Sequence, residues 1–255
     1  MEENTDMRND NTSLCRWLFA YALCFALLHI LPAFLPGFLA WPVNQGDALD
    51  FLTPFVVIPA ALAASLRLKR LSEAGAPSFG KRRRGIPWAV LILGFLLYVD
   101  GHGIHLSANS IARLLEGQEG SSLFRGVYLY DEVISHFMWD GGVFLISVGL
   151  VLLARRASFG RLTTAQSALV CAGAAFYGFA FAVNSIEGQT VVLMFPAAGA
   201  AFAWCLGLCL RDRKRNAQDP VVFFFLSGYL LSVILFAYWG IKNSGFPEFS
   251  DLGWI

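Results

Sequence analysis

The chain has 255 residues, 56% of them hydrophobic and 15% charged, with a formal net charge of +1. Soluble domains carry about 25% charged residues. That deficit, with a mean hydropathy of +0.58, argues against a soluble globule and for an all-α, polytopic membrane protein; the near-neutral balance gives no basis for a nucleic-acid partner, which would be met by a basic face or stripe.

Residues 1–13 form a polar tail carrying Glu2, Glu3, Asp6 and Asp10. A secretory signal opens with a basic region and ends at a small-residue cleavage site. This tail is acidic, so the apolar run that follows is read as a retained membrane helix.

A spanning helix needs about 20 largely apolar residues. Seven stretches qualify: 14–35, 49–68, 87–115, 127–154, 163–185, 190–210 and 220–242. The first closes on a cluster of Pro32, Pro36 and Gly37. The third is expected to start near Pro87, because proline suits the first turn of a helix. A transmembrane domain over 14–242 and a short tail over 243–255 complete the chain. The five cysteines lie in apolar runs without a CxxC pair, so no disulfide framework is expected.

Cytoplasmic loops hold the excess of lysine and arginine. Sixteen of the nineteen basic residues fall on one side of a seven-helix chain; only Arg113, Arg125 and Lys242 fall on the other. The clusters are Arg67, Lys69 and Arg70 with Lys81 to Arg84, then Arg155, Arg156 and Arg161, then Arg211, Arg213, Lys214 and Arg215. The expected topology is therefore N-terminus inside and C-terminus outside, as a multi-pass protein of the cell membrane.

Against this apolar background two runs stand out. Asp100-Gly101-His102-Gly103-Ile104-His105, continuing to Asn109, lies in the third span. Asp131-Glu132-Val133-Ile134-Ser135-His136, continuing to Asp140, lies in the fourth. They hold three of the four histidines. Ionisable side chains within a membrane are costly and mark functional sites. At 1.5 Å per residue, Asp100 is about 20 Å and His105 about 27 Å across from the inner side. On the same rise, His136 is about 13 Å and Asp140 about 20 Å in from the outer side. The runs overlap in the outer half of the bilayer.

Helical spacing sorts them further. His102, His105 and Asn109 share a stripe, Glu132, His136 and Asp140 share another, and Asp131 lies beside the second. Asp100 points away from His102. Gly101, Gly103, Gly141 and Gly142 would let the third and fourth helices approach closely. Asn184 and Glu187 reach the same level from the fifth helix, while Asn44, Gln45, Asp47 and Asp50 are placed in the first outer loop. His29 stands apart in the first helix and is read as a packing or interfacial residue.

Imidazoles with carboxylates suit a divalent metal such as zinc. The expected ligands are His102, His105 and His136. Glu132 or Asp140 would be the general base or a further ligand, and Asn109, Asp131, Glu187 and Asp100 would support them. A metal-dependent hydrolase or lipid-modifying enzyme follows, taking a lipid or small molecule from the outer leaflet. In architecture this resembles the seven-helix hydrolases of the ceramidase and progestin-receptor type, although the seventh helix here has no histidine where theirs carries an HxxxH pair. Two alternatives use the same residues: a proton- or ion-coupled transporter, or a structural protein whose polar groups satisfy one another and hold the bundle together.

Overall fold

The structure, a computed structural model, describes residues 2–35, 37–74, 81–211 and 219–254, with side chains from residue 10 onward except at 74 and 81–84. Among them, seven helical spans are long and apolar enough to cross a membrane. The elements in order are α1 (Glu2–Ile30), a 3-10 turn (Leu31–Phe34), the strands β1 (Phe38–Ala40) and β2 (Val43–Asn44), α2 (Gln45–Ala74) and α3 (Lys81–Leu114). Then come α4 (Ser122–Tyr128), a π-helical turn (Leu129–Ser135), α5 (His136–Ala154), α6 (Thr164–Glu187), α7 (Val191–Arg211) and α8 (Pro220–Asn243). The fourth span is one continuous rod of α4, the π turn and α5. Seven crossings put the termini on opposite faces. Below, the face where α8 ends is called the C-terminal face.

Several helix limits differ from the sequence expectation. α2 starts at Gln45, before the expected 49, because Asn44 caps it. The Asn44 side chain accepts from the Asp47 amide at 2.7 Å, and the Asp47 carboxylate accepts from the Asn44 amide at 2.8 Å. This is the reciprocal pattern of a capping box, so Asp47 and Asp50 lie within a helix and outside the loop expected for them. α3 extends past Pro87 to Lys81, and the fourth span begins at Ser122, where the Ser121 side chain accepts from the Phe124 amide at 3.1 Å. Residues 1–13 are helical from Glu2 onward. The expected basic residues Arg213, Lys214 and Arg215, and Pro36, lie outside the described residues.

Lipid gives helices no hydrophobic reason to associate, so close van der Waals packing and interhelical hydrogen bonds must hold them. α3 packs along α5; α1 packs on α2 and α6; α8 joins α6 to α7. Both devices are present. A methyl group on Gly142 of α5 would lie 2.6 Å from the Tyr98 nitrogen of α3, and the backbones can touch only because it is absent. Gly103 and Gly141, expected to serve the same approach, face open space instead. Deeper in the bundle Tyr229 of α8 hydrogen-bonds both Ser147 of α5 and, at 3.0 Å, Tyr177 of α6. Phe181 packs edge-on against Tyr229, and Ile146, Phe181 and Tyr229 are almost fully buried.

The two strands form a small antiparallel hairpin on the C-terminal face, with a cis Trp41–Pro42 peptide at its turn. Arg113, in the last turn of α3, donates to the Pro42 carbonyl at 2.8 Å and grips both oxygens of Asp47. One side chain thus ties the hairpin, the start of α2 and the end of α3 together.

Candidate functional site

A cavity of 420 Å3 opens at the C-terminal face. Its walls come from the end of α1, the start of α2, the end of α3, the π turn with α5, and the end of α6, while Glu248 and Ser250 of the C-terminal segment border it. The expected site was shared by the third, fourth and fifth spans. The structure adds α1, α2 and the tail.

Trp139 organises the histidines. Its indole lies within ring contact of all four: His102 at 4.3 Å, His29 at 4.8 Å, His105 at 5.7 Å and His136 at 5.8 Å between centroids. Trp139 can sit there because Gly101 of α3 offers no side chain. A methyl group on Gly101 would lie 2.6 Å from the Trp139 nitrogen and 2.7 Å from the Ser135 carbonyl oxygen.

Each imidazole then takes its own partner. His29 Nδ1 is 2.7 Å from the Phe25 carbonyl, and its Nε2 is 3.1 Å from the Tyr98 hydroxyl. A carbonyl can only accept, so Nδ1 carries the proton and Nε2 accepts from the tyrosine. His29 is therefore part of the cluster, correcting its reading as an isolated residue, and both of its nitrogens are engaged. His102 is buried, with Nε2 2.8 Å from Asp50 Oδ1. His105 Nδ1 lies 2.8 Å from Asp131 Oδ1, and His136 Nδ1 lies 3.6 Å from Glu132 Oε2.

The expected group therefore divides. His105, His136, Asp131 and Glu132 come together, with the two imidazole centroids 5.0 Å apart. His102 shares the Trp139 contact but is committed to Asp50. Asp140 lines the cavity and accepts from the Thr190 hydroxyl, having no contact with His136 of the kind its spacing implied. Asn109 donates to Asp47 at 3.3 Å and belongs to the Arg113 clamp. Glu187 accepts from the Phe249 amide at 2.7 Å and the Ser250 amide at 3.4 Å, so it fastens the C-terminal segment. Asp100 is not brought to the cavity. It is exposed on the opposite side of α3, in a separate cleft with Gly103, Ser107 and Tyr130.

The π turn explains part of this division. In an α-helix, residues 131 and 135 would share one stripe and 132 and 136 the next. Wider winding over Leu129–Ser135 shifts that register. Asp131 is buried and reaches His105, while Glu132 stays partly open to the cavity. Single π turns of this kind occur frequently at functional sites.

Among the described residues, no group of three or more His, Cys, Asp or Glu side chains converges in the geometry of a metal site. The expected triad of His102, His105 and His136 is thus not preassembled. What is assembled is a pair. His105 and His136 each place Nδ1 near a carboxylate, at 2.8 Å and 3.6 Å, and both line the cavity; among the described residues neither Nδ1 has a partner in hydrogen-bond geometry.

Sequence reading missed Trp139 and the roles of Asp50, Arg113 and His29. A local signal existed for Asp50, since Asn44-x-x-Asp47 ahead of an apolar run marks a helix start that carries Asp50 into the bundle. No local signal could show that α1 ends beside Trp139. No family model, curated protein or solved structure matches the chain.

Proposed function

We propose that this integral membrane protein is an enzyme, a hydrolase or lipid-modifying enzyme of the cell membrane, working in the cavity at its C-terminal, outer face. The observation that carries the reading is the His105–His136 pair: two imidazoles 5.0 Å apart, with Asp131 and Glu132 carboxylates 2.8 Å and 3.6 Å from their Nδ1 atoms, lining a cavity large enough for a small-molecule group.

The charge pattern supports the outward placement, since most lysines and arginines lie on the other side. The buried Ile146, Phe181 and Tyr229 deeper in the bundle support a one-sided site over a transporter, which needs access to both faces.

In this reading Asp131 orients His105, and Glu132 stands beside His136. Their Nε2 atoms act on the substrate side, directly as acid and base or as the first two ligands of a divalent metal of the zinc class. Such an ion would lower the pKa of bound water toward neutrality. Glu132 is the one carboxylate of the pair that borders the cavity and so is the side chain placed to receive a proton or complete the ligand set. Asp140 lies further along the wall and polarises Thr190. His102 is a positioning residue that braces Trp139.

Metal analysis of detergent-purified protein tests this. About one divalent ion per chain is expected, lost in His105→Ala and in His136→Ala and retained in His102→Ala. Protein free of stoichiometric metal at neutral pH overturns the metal-dependent form. Retention of metal in both His105→Ala and His136→Ala overturns the assignment of the pair.

A further inference from the structure

Beside the polar cavity lies a second cavity of 440 Å3, set between the ends of α1, α6 and α8 and bordered by the C-terminal segment. Its walls are mostly apolar, with Phe34, Phe179, Val183, Leu235 and Tyr238 among them, and Lys242 borders it, stacked on the Tyr238 and Trp254 rings. Both volumes lie within the roughly 300–1,000 Å3 usual for ligand sites. The two cavities share His29, Ala33, Asn184 and Glu187. The apolar and the polar cavity therefore adjoin along these four residues.

Asn184 stands at the junction. Its Nδ2 is buried and has no hydrogen-bond partner among the described residues, and a buried donor left unmet costs about 1–3 kcal/mol. An ester or amide carbonyl at the junction would meet it.

The polar cavity also selects by charge. Asp47, Asp50, Glu132, Asp140, Glu187 and Glu248 line it, against Arg113 as its one lysine or arginine among the described residues. Arg113 is already engaged by Asp47. Asp50 faces His102, Asp140 holds Thr190, and Glu187 holds the tail amides. Glu132, 3.6 Å from His136, and Glu248, which accepts from the Ser250 hydroxyl at 3.3 Å, keep carboxylate oxygens that can meet a cation, and an anionic head would face repulsion.

We propose that the two cavities form one site for a single-chain acyl amphiphile with a cationic amine head. The alkyl chain lies in the apolar cavity, the carbonyl at Asn184, and the head beside Glu132 and Glu248. This rests on reading the polar cavity as a substrate site, and it names the substrate class.

Photo-crosslinking tests it without measuring turnover. Lauroylcholine carrying a diazirine at the chain end is added to the detergent-purified protein, and the labelled residues are mapped by mass spectrometry. Labelling is expected on α6 and α8 around Phe179, Val183 and Leu235. It should fall about tenfold, equivalent to about 1.4 kcal/mol, when the probe is lauric acid bearing the same diazirine. A similar loss is expected in Val183→Trp or Leu235→Trp, each of which fills the apolar cavity. Competition by unlabelled lauroylcholine on the wild-type protein gives the same information should both variants fail to fold.

Labelling spread along the lipid-facing helices and indifferent to the competitor overturns the proposal, as does equal labelling by the anionic probe. Metal content is measured on the same preparations. Loss of the metal reading would leave specific labelling in place, and failure of labelling would leave the metal result standing.

Discussion

Gly101 and Trp139 face each other across α3 and α5 at a separation that excludes even one methyl group, because a Cβ on Gly101 would sit 2.6 Å from the Trp139 backbone nitrogen. Backbone cannot swing away as a side chain can, so the two helices must part. Gly101→Ala is expected to lower stability by about 1–3 kcal/mol and to disturb all four histidine contacts to Trp139. Gly103→Ala, two residues on and facing open space, should have little effect. Thermal unfolding of both variants in the same detergent checks this, and equal midpoints would falsify the close approach.

The Asp47–Arg113 pair is two-pronged and mostly shielded, with side-chain exposures of 7% and 20%. Breaking one partner of such a pair leaves the other charge uncompensated. Asp47→Asn and Arg113→Met are each expected to cost about 1.5–3 kcal/mol, the range for hydrogen bonds to charged groups. Arg113→Lys should also destabilise, because lysine cannot grip both oxygens. The double variant Asp47→Asn/Arg113→Met should lose less than the sum of its parts, and strict additivity in a double-mutant cycle would count against the clamp.

Tyr229 hydrogen-bonds Ser147 and Tyr177 in the apolar layer beneath the cavity. Interhelical hydrogen bonds in membrane proteins are worth about 0.6 kcal/mol each, up to about 1.7. Tyr229→Phe keeps the ring and removes the hydroxyl, so a loss of about 1 kcal/mol is expected, with metal content and probe labelling unchanged. A loss of either would mean that the layer takes part in the site.

The C-terminal segment should dock in a pH-dependent way. Partial burial, and then the negative charges of Asp251 and Glu187, push the Glu248 carboxyl above its usual range, while the Ser250 hydroxyl acts in the opposite direction. A raised value in the docked state means that docking favours the protonated form. The contribution is fully present below the ordinary glutamate value of about 4.3 and is lost as pH rises through the elevated one. Glu248 is largely open to solvent, so the effect is small. Hydrogen exchange at the Phe249 amide, which Glu187 accepts, should report it as the difference between wild type and Glu248→Gln at each pH. Identical pH profiles in the two proteins would remove Glu248 as the source.

The spans were legible because about 20 apolar residues in a row admit few other readings, and the overlap in depth of the two polar runs followed from helical rise alone. The partners were not legible. Spacing by four in 132–136–140 assumed an unbroken α-helix, and the π turn at Leu129–Ser135 breaks that assumption. His102 looked like a neighbour of His105, yet Asp50, over fifty positions earlier, claims its Nε2. His29 gave no hint of company because its partners, Tyr98 and Trp139, come from helices far away in sequence. Glycines were recognised as a class, but only packing separates Gly101 and Gly142, which are needed, from Gly103 and Gly141, which are not.

The π turn gives the chain about one residue of slack in the middle of a membrane-spanning rod. An α-helix turns about 100° per residue, so removing one residue from Leu129–Ser135 would let the rod rewind as a regular helix. Because the wider winding absorbs that residue, the helix before the turn would keep its facing relative to His136, and only the side chains within the turn would shift. Asp131 would leave His105 while the side chains that line the cavity from α1, α2, α3 and α6 stayed where they are. Length at this turn, apart from any side-chain identity, is thus what sets the spacing between the two carboxylate–imidazole couples.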